Sequence, residues 1–268
     1  MDTTLTISHE PEAQPVPRIP VWARRKLEAS KRPIREIVRA RDRRYAAVRR
    51  RLASKHLTGS GLEIGALHLP LRVPRGASVR YVDRCGRSDL RAHYPELEIY
   101  PIVEPDIVDD AETLATIPDA SVNFVVANHF IEHCEDPIGT LKTFLRVLRP
   151  GGVIYMAVPD GRLTFDSDRP ITEISHLVHD HIEGPESSRA QHYEEWTSLS
   201  IKVPPSEVAQ RAQELQTQGY SIHYHVWTPS AFVELLVAAR SRFDLPLEVE
   251  AVERNEHEFI VIMSRFAV

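Results

Sequence analysis

The chain carries 13 histidines in 268 residues, and two of them stand where chemistry could occur. His129 follows directly on the apolar run 123–128, and His133 lies four residues further on, one helical turn away, so both rings can face one cleft. A neutral imidazole can take the proton of a hydroxyl as that oxygen attacks an electrophile, which makes both candidate catalytic bases. A second group, His176, His179, His181 and His192, falls in a polar stretch from Asp160 to Ser200. Within it, His176, Asp180 and His181 offer nitrogen and oxygen ligands. A divalent ion such as Mg²⁺ held there could lower the pKa of an acceptor, although histidine-rich ligation suits zinc or nickel better. Histidines that are merely solvated or packed in the stretch are the plainer reading.

The elements that must position these groups alternate. Apolar runs at 61–65, 78–82, 123–128 and 152–158 have the length of buried strands, and a helix is predicted over 137–148, closed by Arg149, Pro150, Gly151 and Gly152. Thr228 and Pro229 open a last helix as N-cap and first turn. Runs at 246–252 and 258–263 then read as an antiparallel pair. The alternation predicts an α/β fold with a single doubly wound sheet, mostly parallel, and helices on both faces.

In such sheets ligands bind outside the carboxyl ends of the strands. The run "GLEIG" ends its strand on Gly65, where a missing side chain lets a ligand approach the backbone. Twenty residues after Glu63, the strand "SVRYV" ends in Asp83, placed to accept both hydrogens of a ribose diol. After Gly65 come Ala66, Leu67, His68, Leu69 and Pro70, so the three glycines of a pyrophosphate cradle are missing. A ligand with a ribose and no phosphate fits better, and S-adenosylmethionine is the common one.

At this point the residues resemble the class I S-adenosylmethionine-dependent methyltransferases, in particular the type 11 group related to ubiquinone and sugar methyltransferases. The series is "LEIG", a strand ending in Asp83, "DDAETLATIPDASVNFVVANHFIEHCEDP" and "RVLRPGGVIYMAVPD", over roughly residues 60–160. The resemblance implies a Rossmann-like fold and S-adenosylmethionine as cofactor. Glu63, Gly65 and Ala66 would then shape the loop around the methionine portion, with Glu63 ordering backbone amides or meeting the amino group. Asp83 would hold the ribose, and Asp110 with Ala111 would meet the adenine, Asp109 being the adjacent competitor. Asn128 and His129 would lie beside the sulfonium.

The stretch 160–203 after the fifth strand reads as a substrate lid. Asp160, Arg162, Asp166, Arg169, His176, Tyr193 and Trp196 mix the carboxylates, donors and aromatic faces that a carbohydrate site uses. "TFDxxRP" followed by "HLxxD" also resembles bacterial methyltransferases of glycan assembly. The function expected is O-methylation of a saccharide or glycoside. The alternatives are methylation of a quinone or natural-product phenol, and a non-catalytic nucleoside-binding module of a glycan-assembly complex.

Three segments follow: a leader over 1–20, a basic amphipathic helical arm over 21–57 and the methyltransferase-like domain over 58–268. From Arg18 to Lys55 there are 15 Lys and Arg against three acids, a local +12, whereas the chain as a whole carries −5. Ile34, Ile37, Val38, Tyr45, Val48 and Leu52 form the arm's apolar stripe. It is expected to pack on the acidic body or a second subunit, with anionic lipid headgroups as a further partner; nucleic acid is not expected. No apolar run has the length of a membrane span, and Cys85 and Cys134 lack the spacing of a metal or disulfide framework. The expected location is the cytoplasm, with peripheral contact to the inner membrane face through the arm.

Overall fold

The computed structural model describes residues 44–266. The leader and most of the basic arm expected from the sequence lie outside that range.

Seven strands form one sheet: β1 (Gly59–Ile64), β2 (Ala77–Asp83), β3 (Ile107–Val108), β4 (Val122–Asn128), β5 (Leu148–Pro159), β6 (Leu247–Asn255) and β7 (Glu258–Arg265). Their order is β3-β2-β1-β4-β5-β7-β6. The first five run parallel, and β7 lies antiparallel between β5 and β6. The fold is therefore the doubly wound, mostly parallel sheet with a C-terminal antiparallel pair. The chain leaves β1 toward β2 on one side and returns to β4 on the other, and that reversal opens a crevice at the carboxyl ends of β1 and β4.

Strand periodicity divides the core. In β4, Val125 and Ala127 join one apolar cluster, while Phe124 and Val126 join another on the opposite face. The first cluster is covered by α3 (Pro137–Val147) through Ile138, Leu141 and Phe144, and by α7 (Pro229–Phe243) through Phe232, Leu235 and Leu236. Both helices begin as their sequences require. Asp136 and Thr228 accept from the third amide of each helix, and a proline occupies the first turn. The Arg149–Gly152 segment, expected as a turn, instead lies within β5 at an irregular register with β4.

The second face is covered by the end of the predicted arm. Helix α1 (residues 44–56) buries Leu52 and Ala53 against Phe124, Val126, Tyr155 and Ile260, with Val48 beside them. Each leucine-sized side chain buried in this way stabilises by about 1.5–3 kcal/mol, so this stretch is a structural layer of the sheet domain. The lid stretch is largely helical: α4 (Ile174–Glu183), α5 (Glu186–Glu195) and a π-turn at Trp196–Ser200, followed by α6 (Val208–Thr217). Tyr193, Trp196, Ala212, Leu215 and Ile222 give it a small core of its own. A short α2 (Arg87–His93) follows β2.

Candidate active site

A cavity of about 620 Å³ opens at the carboxyl ends of β1, β2 and β4, and Gly65, Asp83, Asp110, Ala111, His129 and His133 all line it. Gly65 takes a left-handed φ of +60°, and a Cβ placed there would meet nothing within 4 Å. The backbone thus turns away beneath open space, as a cradle for a ligand requires. The Gly65 amide donates to the Val82 carbonyl (3.0 Å), tying the turn to β2.

Asp83 accepts the Arg84 amide at Oδ1 (2.8 Å), and burial raises its carboxyl above the ordinary range. Asp109 is committed to its own turn: it accepts the Asp110 amide and both the amide and hydroxyl of Thr116. Asp110 lines the cavity, with its Oδ1 accepting the Glu112 amide (2.9 Å). Glu112, also in the wall, is pushed up to about 7, first by burial and then by the charge of Asp110. Asp83, Asp110 and Glu112 share this wall with Arg84 and His129.

Other expected positions do different work. Glu63 is buried on the face away from the cavity, where its Oε1 accepts the Leu71 amide (2.7 Å) and fixes the far end of the 66–71 loop. Burial pushes its pKa up to about 7. Of the two roles the resemblance implied, ordering an amide is the one observed. Ala66 is buried and Asn128 accepts the Ala157 amide (3.1 Å); neither is in the cavity wall.

The two histidines part company. His129 has a left-handed φ of +50°, a strained conformation for a non-glycine residue, of a kind that gathers at functional sites. Its Nε2 lies 2.7 Å from Glu258 Oε2 and its Nδ1 3.6 Å from Glu132 Oε1. Burial alone would lower its pKa, but the two carboxylates overcome that and hold it at about 9. The proton is thereby favoured on His129, whose Nε2 is already engaged by Glu258, and this sets it apart from the base expected there. Burial takes His133 the other way, to about 4. Its Nδ1 donates to the Ile222 carbonyl (2.8 Å), which leaves the Nε2 lone pair as the basic position.

Most of the expected carbohydrate ligands hold the lid together instead. Asp166 receives Arg169, His223 and Ser200, and Arg169 also reaches Glu195 and the carbonyls of His223 and Tyr224. Asp160 is spanned by Arg162, His176 lies against Asp180 and His192, and Trp196 is buried in the lid core. None of these lines the large cavity. Sequence shows that such side chains are polar, not whether a distant partner already occupies them. His181 turns to Asp136 (2.8 Å), away from Asp180, so the expected His176, Asp180 and His181 ligand set is not assembled.

Tyr193 does reach a cavity. A second space of about 300 Å³ is lined by Glu135, Arg189, Tyr193, Tyr220 and Tyr224, and it shares Arg84, His133 and Ser221 with the first. Apart from Tyr193 and the shared His133, these wall residues were missed. Nothing local linked Arg189 to Glu135, 54 residues away.

The model of a family described as "Methyltransferase domain" matches residues 37–239, most of the chain. The chain belongs to this methyltransferase-domain family. A Mycolicibacterium smegmatis protein described as a "Probable S-adenosylmethionine-dependent methyltransferase" is 33% identical over 132 residues. That match covers 47% of this chain and 48% of the relative, so the chain spans about half the relative's length. Among solved structures, a SAM-dependent methyltransferase from Methanosarcina mazei shares 17% identity at a TM-score of 0.42, covering 80% of this chain and 96% of that one. Another, from Aquifex aeolicus, shares 12% at a TM-score of 0.39, covering 77% and 81%. Among the described residues, no helix is long and apolar enough to cross a membrane.

Proposed function

We propose that this methyltransferase transfers the methyl group of S-adenosylmethionine to a hydroxyl of a saccharide or glycoside. The reading is carried by the two neighbouring cavities, with Arg84, His133 and Ser221 in both walls. S-adenosylmethionine, when bound, supplies an electrophilic methyl on a cationic sulfur. The donor cavity suits it: Gly65 leaves room at the backbone, Asp83 would accept the ribose hydroxyls, and Asp110 would accept the adenine amino group beside Ala111.

The chain's own work is to place an acceptor hydroxyl and remove its proton. The second cavity supports a saccharide through its aromatic wall, since Tyr193, Tyr220 and Tyr224 offer faces for C–H surfaces, while Glu135 and Arg189 are paired with each other (2.7 Å) and would meet hydroxyls only with the positions that pair leaves over. His133 Nε2 would take the proton, with the Ile222 carbonyl fixing the ring's tautomer.

Calorimetry with S-adenosylmethionine followed by a labelled-methyl screen of glycosides and phenols tests the proposal. Donor binding with label on a glycoside hydroxyl is expected. Label on phenols alone would replace the saccharide, and failure to bind the donor would end the proposal.

A further inference from the structure

We propose that His176, Asp180, His192 and His225 form a closed zinc site that ties α4, α5 and the 221–227 segment together. The donors come from three separate elements. His176 and Asp180 stand one turn apart on α4, His192 lies on α5, and His225 precedes α7.

Three of the four donors stand at the spacing of a small tetrahedral centre. His176 Nε2 lies 3.0 Å from His192 Nε2 and 3.1 Å from Asp180 Oδ2, and the last two atoms are 3.8 Å apart. Ligands about 2.0–2.1 Å from zinc at tetrahedral angles stand roughly 3.3–3.4 Å from one another, and the three distances straddle that value. His225 completes the group, with the three imidazole donor atoms all within 4.8 Å of one another.

An ordinary His176–His192 hydrogen bond accounts for only one of these contacts. The Asp180 side chain is fully buried, yet neither carboxylate oxygen receives a hydrogen bond, and the His225 Nδ1 is equally buried and without a partner. The Ser188 hydroxyl near Asp180 donates to the Pro185 carbonyl instead. A buried carboxylate and imidazole left this way are costly unless a cation receives them.

A neighbouring hydrogen bond orients one ring as a ligand. His225 Nε2 faces the Glu135 carbonyl at 3.3 Å, which places the proton there and turns the Nδ1 lone pair inward. Three imidazoles and one carboxylate match zinc and not magnesium, which demands an oxygen cage. Four protein ligands leave no coordination position for catalysis, so the ion would be structural. It would anchor the segment whose Ile222 carbonyl holds His133 and whose Ser221 lines both cavities.

The test uses the full chain, purified without a polyhistidine tag, and measures metal by plasma mass spectrometry. About one zinc per chain is expected, falling at least five-fold in His176→Ala, a partly exposed ligand whose loss the fold should tolerate. Chelated protein should regain thermal stability on titration with ZnCl₂, by about 5–10 °C at a concentration 100-fold above Kd. Cobalt uptake should give the visible spectrum of a tetrahedral centre in the wild type and not in His176→Ala. Stoichiometric zinc in His176→Ala would overturn the proposal, as would a wild-type chain whose melting temperature is unmoved by zinc. Another metal bound by the same residues would overturn the assignment to zinc.

Discussion

Replacing Glu258 by Gln should destabilise the domain by about 3–5 kcal/mol at pH 7, the range for removing one partner of a buried ion pair. Glu258 lies on β7 with its side chain wholly buried. It accepts hydrogen bonds from Arg49 Nε and Nη2 (2.9 and 2.6 Å), Tyr45 (2.6 Å), Asn255 (2.6 Å) and His129 (2.7 Å). It thereby joins α1 to the strained end of β4. Burial alone would raise its carboxyl, but Arg49 and His129 hold it down at about 2. Set against an ordinary value of 4.5, that gap contributes roughly 3 kcal/mol by linkage, in agreement with the first figure. Because the folded-state pKa is the lower one, this stability is fully present above pH 4.5 and is lost as pH falls toward 2. The deficit of Glu258→Gln relative to wild type should therefore shrink to roughly 1.5 kcal/mol at pH 3. Urea melts of both proteins at pH 7, 5, 4 and 3 measure it, and thermal melts at pH 7 should differ by about 6–20 °C. A deficit below 1 kcal/mol, or one that stays constant with pH, would refute this reasoning. If the variant fails to fold, Tyr45→Phe, which removes one donor to the same charge, should lose about 1.5–3 kcal/mol.

Three further outcomes follow from the site. Asp83→Ala should weaken S-adenosylmethionine binding by about 10–100-fold, the loss of one or two hydrogen bonds to a charged acceptor, measured by calorimetry, while the melting temperature stays close to wild type. Gly65→Ala puts a methyl into the open cradle and forces a left-handed φ on a residue that resists it by about 1 kcal/mol; donor affinity should fall more than stability does. His133→Ala should lower kcat by about 10²–10⁴-fold with donor affinity retained. Since burial keeps His133 neutral down to about pH 4, wild-type kcat should show no acid limb near 6.5, and a limb there would assign the base to another group.

Much of the sheet was legible because strand signals are local. The runs ending at Gly65, Asp83 and Asn128 carry their own periodicity and stop signals, and ligand sites in such sheets gather at strand ends. Gly65 and Asp83 could thus be nominated from strand ends and Asp110 from the family resemblance, and the fold sets all three in one wall. The lid was misread for the opposite reason. Asp166 and Arg169 have the chemistry of a sugar site, but His223 and the carbonyls of residues 223 and 224 arrive from more than 50 residues away to consume it. His176 and Asp180 share a helix face and could be paired by spacing, whereas His192 and His225 could not.

The sequence by itself determined six of the seven strands, α3 and α7 with their caps, and Gly65 and Asp83 at the edge of the main cavity, since each depends on neighbours a few residues apart. The tertiary structure alone decided which histidine keeps its proton. His129 and His133 are the same residue type four positions apart, yet one meets Glu258, 129 residues away, and the other a backbone carbonyl at Ile222. Electrostatic energy falls off over a few ångströms in space, and distance along the chain does not enter it.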